Sequence, residues 1–505
     1  MIAWMAVGLT AEMTLFVVAG VVWYRSRAYT LAEAVAAAVM TVFLVLSLTH
    51  QISLLIGSAI PGYVVDILGL AVSMRLVARG VPQLSSAVTS AVGLLRREPL
   101  SGSIVACVCL AMAGLVAVGW GRLGVVSVGH PWLNLSKTLP NAGFLGHILA
   151  NPLPPLNASA LFFHTTRFGL PPGACGIGLL AYMAVGCCTY TLARRYAWPP
   201  MALTVTLMVM SMPRLVVLER WPTPELVSAT AIAFSLVLIY RLLELHRPYD
   251  LRLFLLCVLF SIRGAPESIA LALVMVLLLM VMMIRRHGWL RLREMVGTTP
   301  WLGLATLLPA VIMSPIVIVA LNRAHGYPLL GGSVTLANDG LMGALANLMG
   351  YLFISADVTE PVQRMTQWLI GLDLDRLLNG VFGMLMEPLI TRIGTHDAIT
   401  PTLSGKGVMG FGPAALLLVL PAMTHAIVRG PRRLKAIGIA WMGYLYVAAL
   451  TVGWRADSLS VLTPLYAANA FVVAYFMPPW RLRRRGMRLL QVLFALLLAW
   501  SLTCN

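Results

Sequence analysis

Charged residues make up only 11% of this 505-residue chain, and acids are half as frequent as bases, 18 against 36. Soluble domains carry about 25% charged residues, so a water-soluble enzyme and a disordered chain are both excluded. Cysteine is sparse as well. Cys107, Cys109, Cys175, Cys187, Cys188, Cys257 and Cys504 include no Cys-x-x-Cys pair, which rules out a disulfide scaffold and a cysteine metal site. Most of them lie in apolar runs and read as small packing residues. No Asp-rich cluster compels a divalent ion, so the expectation is no metal. A phosphate-cradling Gly-Lys-Ser/Thr loop is missing too, which argues against an ATP-driven pump. No convincing internal repeat is present.

Apolar residues are abundant, at 59% of the chain with a mean hydropathy of +0.87. Runs long enough to cross a bilayer as helix, about 20 residues, occur throughout. They fall near 3–24, 30–56, 63–79, 103–120, 172–193, 200–217, 224–243, 251–263, 267–284, 301–322, 411–428, 435–453, 459–478 and 487–503. The fold class expected is therefore all-α: a polytopic integral membrane helix bundle of about 12–14 transmembrane helices. The shortest run, 251–263, ends at Gly264-Ala265-Pro266 and reads as a tilted span or as half of a re-entrant hairpin.

The net charge of +18 would suggest nucleic acid in a soluble protein. Here its placement along the chain is the informative feature. With the N-terminus outside, Arg25, Arg27, Arg75, Arg79, Arg96, Arg97, Arg194, Arg195, Arg241, Arg285, Arg286, Arg429, Arg432, Arg433, Lys435 and the arginines of 481–488 all fall inside. Nearly the whole positive excess then lies on one rim, as the positive-inside rule requires. This reading predicts a multi-pass protein of the cell inner membrane with both termini extracytoplasmic. Membrane lipids are its expected partners, with no nucleic acid and with a membrane protein complex left open. A missed span would invert every later loop, so the regularity supports the parity.

Five regions follow: N-terminal membrane helices over 1–120, a first large outer loop over 121–171, central membrane helices over 172–322, a long outer segment over 323–410, and C-terminal membrane helices over 411–505. Apolar residues recur at helical spacing through Leu341–Phe353 and Val362–Ile393. The long outer segment is thus expected to hold outward-facing interfacial helices.

Several ordered motifs resemble the bacterial polytopic glycosyltransferases of the C-type (GT-C) superfamily. They are Trp132 and Lys137-Thr138-Leu139-Pro140, Asn151 to Pro155, and then Tyr190-Thr191-Leu192-Ala193-Arg194. Met212-Pro213 and Thr223-Pro224-Glu225 come next, and Gly410-Phe411-Gly412-Pro413 late in the chain. The likeness covers roughly 120–480. It implies a helix bundle with an outward cavity and transfer of a sugar from a polyprenyl-phosphate donor to an acceptor at the outer face. The lipid-phosphate sugar donor would be a substrate, with no cofactor certain. A carboxylate would deprotonate the acceptor, and Arg or Lys would steady the departing phosphate. The family places its catalytic acid in the first large outer loop, yet between Gly121 and Pro171 this chain has neither Asp nor Glu.

Other acids must then be considered. Glu225, Glu219 and Glu267 are the candidate acid/base residues, and His130 stands near the family's acid position. Arg220, Arg263 and Arg455 are candidate phosphate contacts. Asp66, expected to open the third span where a helix N-terminus favours an anion, is a candidate substrate contact. Each has a plainer alternative: a solvated turn for Glu219, Arg220, Glu225 and Arg455, a structural ion pair for Arg263 and Glu267, a cap for Asp66, and an incidental loop residue for His130. Glu12, midway along the first span, is expected to pair with a polar neighbour. Two other functions stay open: a degenerate relative serving as a subunit or scaffold, and a lipid or solute transporter.

Overall fold

The computed structural model describes residues 2–56, 58, 60–97, 99, 102–104, 106–108, 110, 156–166, 173–220, 223–262, 268–297, 309–312, 343–345, 347–349, 351, 366–373, 376–377, 380–381, 383–384, 410–412, 414–451, 459–477 and 484–503. Among them there is no strand. The first half runs α1 (Ile2–Arg25), α2 (Leu31–Ile56), α3 (Ile60–Arg79), α4 (Val81–Arg97), α5 (Leu156–Thr166) and α6 (Gly173–Ala193). Then come α7 (Pro199–Met210), α8 (Pro213–Arg220), α9 (Pro224–Leu245), α10 (Pro248–Ile262) and α11 (Ser268–Gly297). A π-turn, Ala415–Val419, leads into α12 (Leu420–Arg429), followed by α13 (Arg432–Thr451), α14 (Leu459–Asn469), α15 (Val473–Phe476) and α16 (Arg484–Thr503).

Among the described residues five segments are long and apolar enough to cross a membrane: Leu31–Ser53, Ile60–Arg79, Gly176–Ala193, Pro224–Leu245 and Ala270–Leu290. Pro199–Met210, Leu417–Arg429 and Val461–Phe476 are apolar but shorter, and proline explains one clear case. The run read as a single span over 200–217 is two helices, because Pro213 lacks the N–H that would continue α7. Its ring opens α8 instead, where a first-turn proline is tolerated.

Helix α9 is the axis of the bundle. Its whole membrane-length window is buried, and it packs against α10, α14 and α6. Pro224 sits in its first turn, and its C-terminus closes at His246, whose left-handed backbone (φ 56°) donates to Leu242 O. Its small polar residues are absorbed by backbone acceptors: Thr230 Oγ1 donates to Ala181 O on α6 at 3.0 Å, and Ser228 Oγ to Ser261 O on α10 at 3.1 Å. Small residues also let α1 and α2 approach closely. Ala34, Ala36, Ala37 and Ala38 are buried, and a Cβ on Gly20 would stand 2.7 Å from that of Ala38. Such contacts rest on dispersion at short range.

Two helices lie where the sequence suggested connections. Helix α5 falls inside the segment read as a loop over 121–171, and it is buried against α2 and α6. Its apolar core, Ala158, Leu161 and Phe162, carries no charge and so pulls the segment into the bundle. Helix α4 is amphipathic and was not expected. Within 323–410, most of the described residues are helical, with 371–373 and 410 outside helix; Tyr351 and Asn347 are buried, while Trp368, Ile370 and Met384 are strongly exposed.

Candidate functional site

Four ionisable side chains from four helices meet at one end of the bundle. Glu12 comes from α1, His50 from α2, Asp66 from α3 and His164 from α5. His50 lies six residues before the end of α2 and Asp66 six residues after the start of α3. At 1.5 Å per residue each is about 9 Å from the helix ends. His50 Nε2 is 3.1 Å from His164 Nδ1, and the latter is 3.9 Å from Asp66 Oδ1. One donor atom each from Glu12, Asp66 and His164 lie within 4.8 Å of one another. His164, His50 and Asp66 are 0%, 1% and 9% exposed, and Glu12 is half-buried.

An amide and hydroxyl network fixes this arrangement. Gln51 Nε2 donates to Asn157 Oδ1 at 2.7 Å and to Ser47 Oγ at 3.1 Å, while Ser47 Oγ donates to Asn157 O at 2.9 Å. Asn157 Nδ2 reaches Phe260 O on α10 at 2.8 Å. Helix α5 is thereby tied to α2 and α10, which sets the position of His164 two turns further on. Phe163 packs edge-on against the His50 ring, centroids 5.5 Å apart. Asn157 is fully buried, so its Asn-Ala-Ser triplet cannot receive a glycan.

Chemically, the cluster has two groups that are anionic when deprotonated and two that are neutral or cationic. Adjacent carboxylates and imidazoles can share, accept and pass a proton. The spacing of Glu12, Asp66 and His164 also lies within reach of a shared divalent cation, whose bonds to such ligands are about 2.0–2.2 Å long. Spacing along the chain gave no hint of this, because the three residues are separated by 54 and 98 positions.

A second charged group forms where α8 and α9 begin. Arg214 Nη2 is 2.9 Å from Glu225 Oε2, and Arg214 N donates to Gly410 O at 3.1 Å. Gly412 has a positive φ of 77°, and a Cβ there would meet Pro213 Cδ at 3.3 Å. Phe411 is buried against Tyr466, ring centroids 4.5 Å apart. Met212-Pro213, Glu225 and Gly410-Phe411-Gly412, distant in sequence, therefore converge.

Of the residues singled out from sequence, Glu225 is placed in this ion pair and not in an isolated turn. Asp66 needs correction. Helix α3 starts at Ile60, so Asp66 is well inside it and faces His164; it does not cap an N-terminus. Glu219 and Arg220 end α8, and their side chains lie outside the described residues. Glu267, His130, Arg263 and Arg455 lie outside them entirely. His50, His164 and Arg214 were missed. For the two histidines the available signal was an ionisable group inside an apolar run, the feature that drew attention to Glu12.

The opposite end carries a third group, built on a different plan. Arg241 Nη1 is 3.0 Å from Glu33 Oε2 and its Nε is 3.4 Å from Asp250 Oδ2. Arg195 bridges Glu33, at 3.4 Å, and Glu244, and Arg433 reaches Glu244 at 3.6 Å. Tyr29, in the turn between α1 and α2, donates to Asp250 and lies under the Arg241 guanidinium. Burial, then repulsion from Asp250, raises its phenol well above the ordinary value. Burial raises Tyr196 likewise, in the turn between α6 and α7. Residues 25–33, 194–196, 241–250 and 432–433 thus gather at one end, as the charge alternation in the sequence demanded.

Comparison with known protein families, curated proteins and solved structures finds no match to this chain.

Proposed function

We propose that the chain is a polytopic protein of the cell inner membrane that transfers a sugar from a polyprenyl-phosphate donor to an acceptor at the extracytoplasmic face. The observation that carries this reading is the gathering of Glu12, His50, Asp66 and His164 at the end away from the arginines. The positive-inside rule puts the arginine end in the cytoplasm, and hence this cluster toward the outer face. It also answers the lack of acids in 121–171: Asp66 and Glu12 reach His164 of that segment from neighbouring helices.

In the reaction, the acceptor hydroxyl oxygen bonds to the anomeric carbon while the bond from that carbon to the lipid phosphate oxygen breaks. Asp66 or Glu12 takes the hydroxyl proton, directly or through His164, and the bonding pair leaves on the phosphate. Arg214, held by Glu225, supports the role of a cation steadying that phosphate; Arg220, Arg263 and Arg455 are further candidates. Glu225 then orients Arg214 and is not itself the base. Purified protein supplied with polyprenyl-phosphate sugars should release polyprenyl phosphate, and Asp66→Asn should abolish the release. Release that is unchanged in Asp66→Asn and in His164→Ala would end this assignment.

A second reading has its own support. Carboxylates and histidines within membrane helices are the usual parts of proton relays, and His50 and Asp66 lie about 9 Å from the ends of α2 and α3. Proton-coupled solute flux in liposomes that persists without any lipid-sugar donor would favour a transporter.

A further inference from the structure

The arginine end holds more cations than its acids neutralise, and four of them surround one cavity. Arg285 and Arg286 just before the Gly288 bend of α11, Arg432 and Arg433 in the first turn of α13, and the apolar Leu243, Val281, Met282 and Ala436 line a space of about 450 Å³. Among the described residues only Arg433 of the four is paired, with Glu244, which Arg195 also holds. Among the described residues no carboxylate lies within ion-pair distance of Arg285, Arg286 or Arg432. Like charges around one cavity repel. The start of α13 adds the positive end of a helix dipole, where arginine is normally disfavoured. Both terms become favourable when an anion occupies the space.

The walls indicate which kind of anion. Leu273, Leu277, Val281 and Ile284 are exposed along α11 at helical spacing, and α13, packed against it, exposes Ile439 and Met442. At Gly288 (φ 78°) the α11 chain turns, presenting Trp289 and Leu290 outward. An exposed apolar stripe ending in two arginines, a bend and a tryptophan is the profile of a helix leaving a bilayer at headgroup depth. We propose that this cavity binds an anionic glycerophospholipid of the inner leaflet. Its phosphodiester sits among the four arginines and its acyl chains lie along α11. Basic pockets between helices on the cytoplasmic side have this chemistry, whereas a free phosphate would gain nothing from the apolar wall. The proposal needs only that the helices span a bilayer, so failure of the transferase reading leaves it standing.

The test uses the full chain in neutral detergent. It is titrated with dioleoyl phosphatidylglycerol, with dioleoyl phosphatidylcholine and with inorganic phosphate, reading bound lipid by native mass spectrometry and the thermal midpoint. Phosphatidylglycerol should be retained about tenfold better than phosphatidylcholine, and phosphate should leave the midpoint unmoved. Each of Arg285→Gln, Arg286→Gln and Arg432→Gln should weaken retention about fivefold, and the triple variant should reduce it to the phosphatidylcholine level. Should the triple variant fail to fold, the single variants and Ala436→Phe, which fills the cavity, carry the same reading. Equal retention of both lipids, retention indifferent to every one of these variants, or a midpoint shift with phosphate equal to that with phosphatidylglycerol would overturn it. The last result would identify a site for a soluble anion.

Discussion

The two ends of this bundle use ionisable residues in opposite ways. At the arginine end, buried Glu33 and Asp250 and the exposed Glu244 face Arg195, Arg241 and Arg433, so each carboxylate meets a guanidinium whose charge does not vary with pH. At the other end Glu12 and Asp66 meet the imidazoles of His50 and His164, groups that can accept or donate a proton. A fixed pair can hold helices together but has no proton to give. A carboxylate–imidazole cluster can exchange protons, and holding it together is the task of the Gln51–Asn157–Ser47 network beside it. The contrast separates a clamp from a candidate site of chemistry.

Substitutions can break the comparison from either side. The largest effect is expected at the cluster. Asp66→Asn or His164→Gln should lower transfer by about 10²–10⁴-fold, the usual span for losing an acid–base group, with the thermal midpoint little changed. The check is initial rate and midpoint measured on one preparation. Arg241→Ala should do the reverse and cost about 3–5 kcal/mol of stability, because Asp250 is left as an uncompensated buried charge and Glu33 keeps only its contact with Arg195. If it unfolds no more readily than the wild type, the clamp assignment fails. An intermediate loss of about 1–3 kcal/mol is expected for Asn157→Ala, which strands the buried partners Gln51 and Phe260 O. That variant should also lower transfer by displacing His164, whereas Arg241→Met should leave the rate per folded molecule unchanged.

The smallest effect concerns pH. Tyr29 has its pKa raised by burial and by Asp250, so the folded state keeps a proton that the unfolded state loses near pH 10. Its contribution to stability is full below pH 10 and is lost as pH rises above it. Tyr29→Phe should therefore flatten the alkaline limb of the stability curve, measured by thermal unfolding between pH 8 and 11, and lower the neutral plateau because buried Asp250 loses its hydroxyl donor.

Much of the helical plan was legible in the amino-acid order. The helices near 3–24, 30–56, 172–193 and 224–243 match α1, α2, α6 and α9 closely, since long apolar runs with sparse charges have few other forms. The gathering of Glu33, Arg195, Arg241, Asp250 and Arg433 at one end also follows from the alternation of basic loops. The break at Pro213 and the buried α5 were less legible. Proline inside an apolar run is compatible with a kinked span, and an 11-residue helix is too short to stand out from a loop by periodicity. The candidate site was the least legible part. Glu12 and Asp66 were noticed as single residues, but His50 and His164 were passed over, and no spacing along the chain linked the four.

The sequence by itself determined that this chain is helical, that its helices are apolar enough to bury one another, and that its basic residues are concentrated in alternate connections. Those properties are additive along the chain: each run and each loop carries its share, and hydropathy and charge can be summed locally. Only the tertiary structure decided which charges meet. Bringing Glu12, His50, Asp66 and His164 together requires α1, α2, α3 and α5 to pack at a particular register. That register is set by close approaches such as Gly20 against Ala38 and by Asn157 reaching α2 and α10. Contacts between residues more than a hundred positions apart depend on such packing and not on local composition, which is why the chemistry of this protein appears only in its fold.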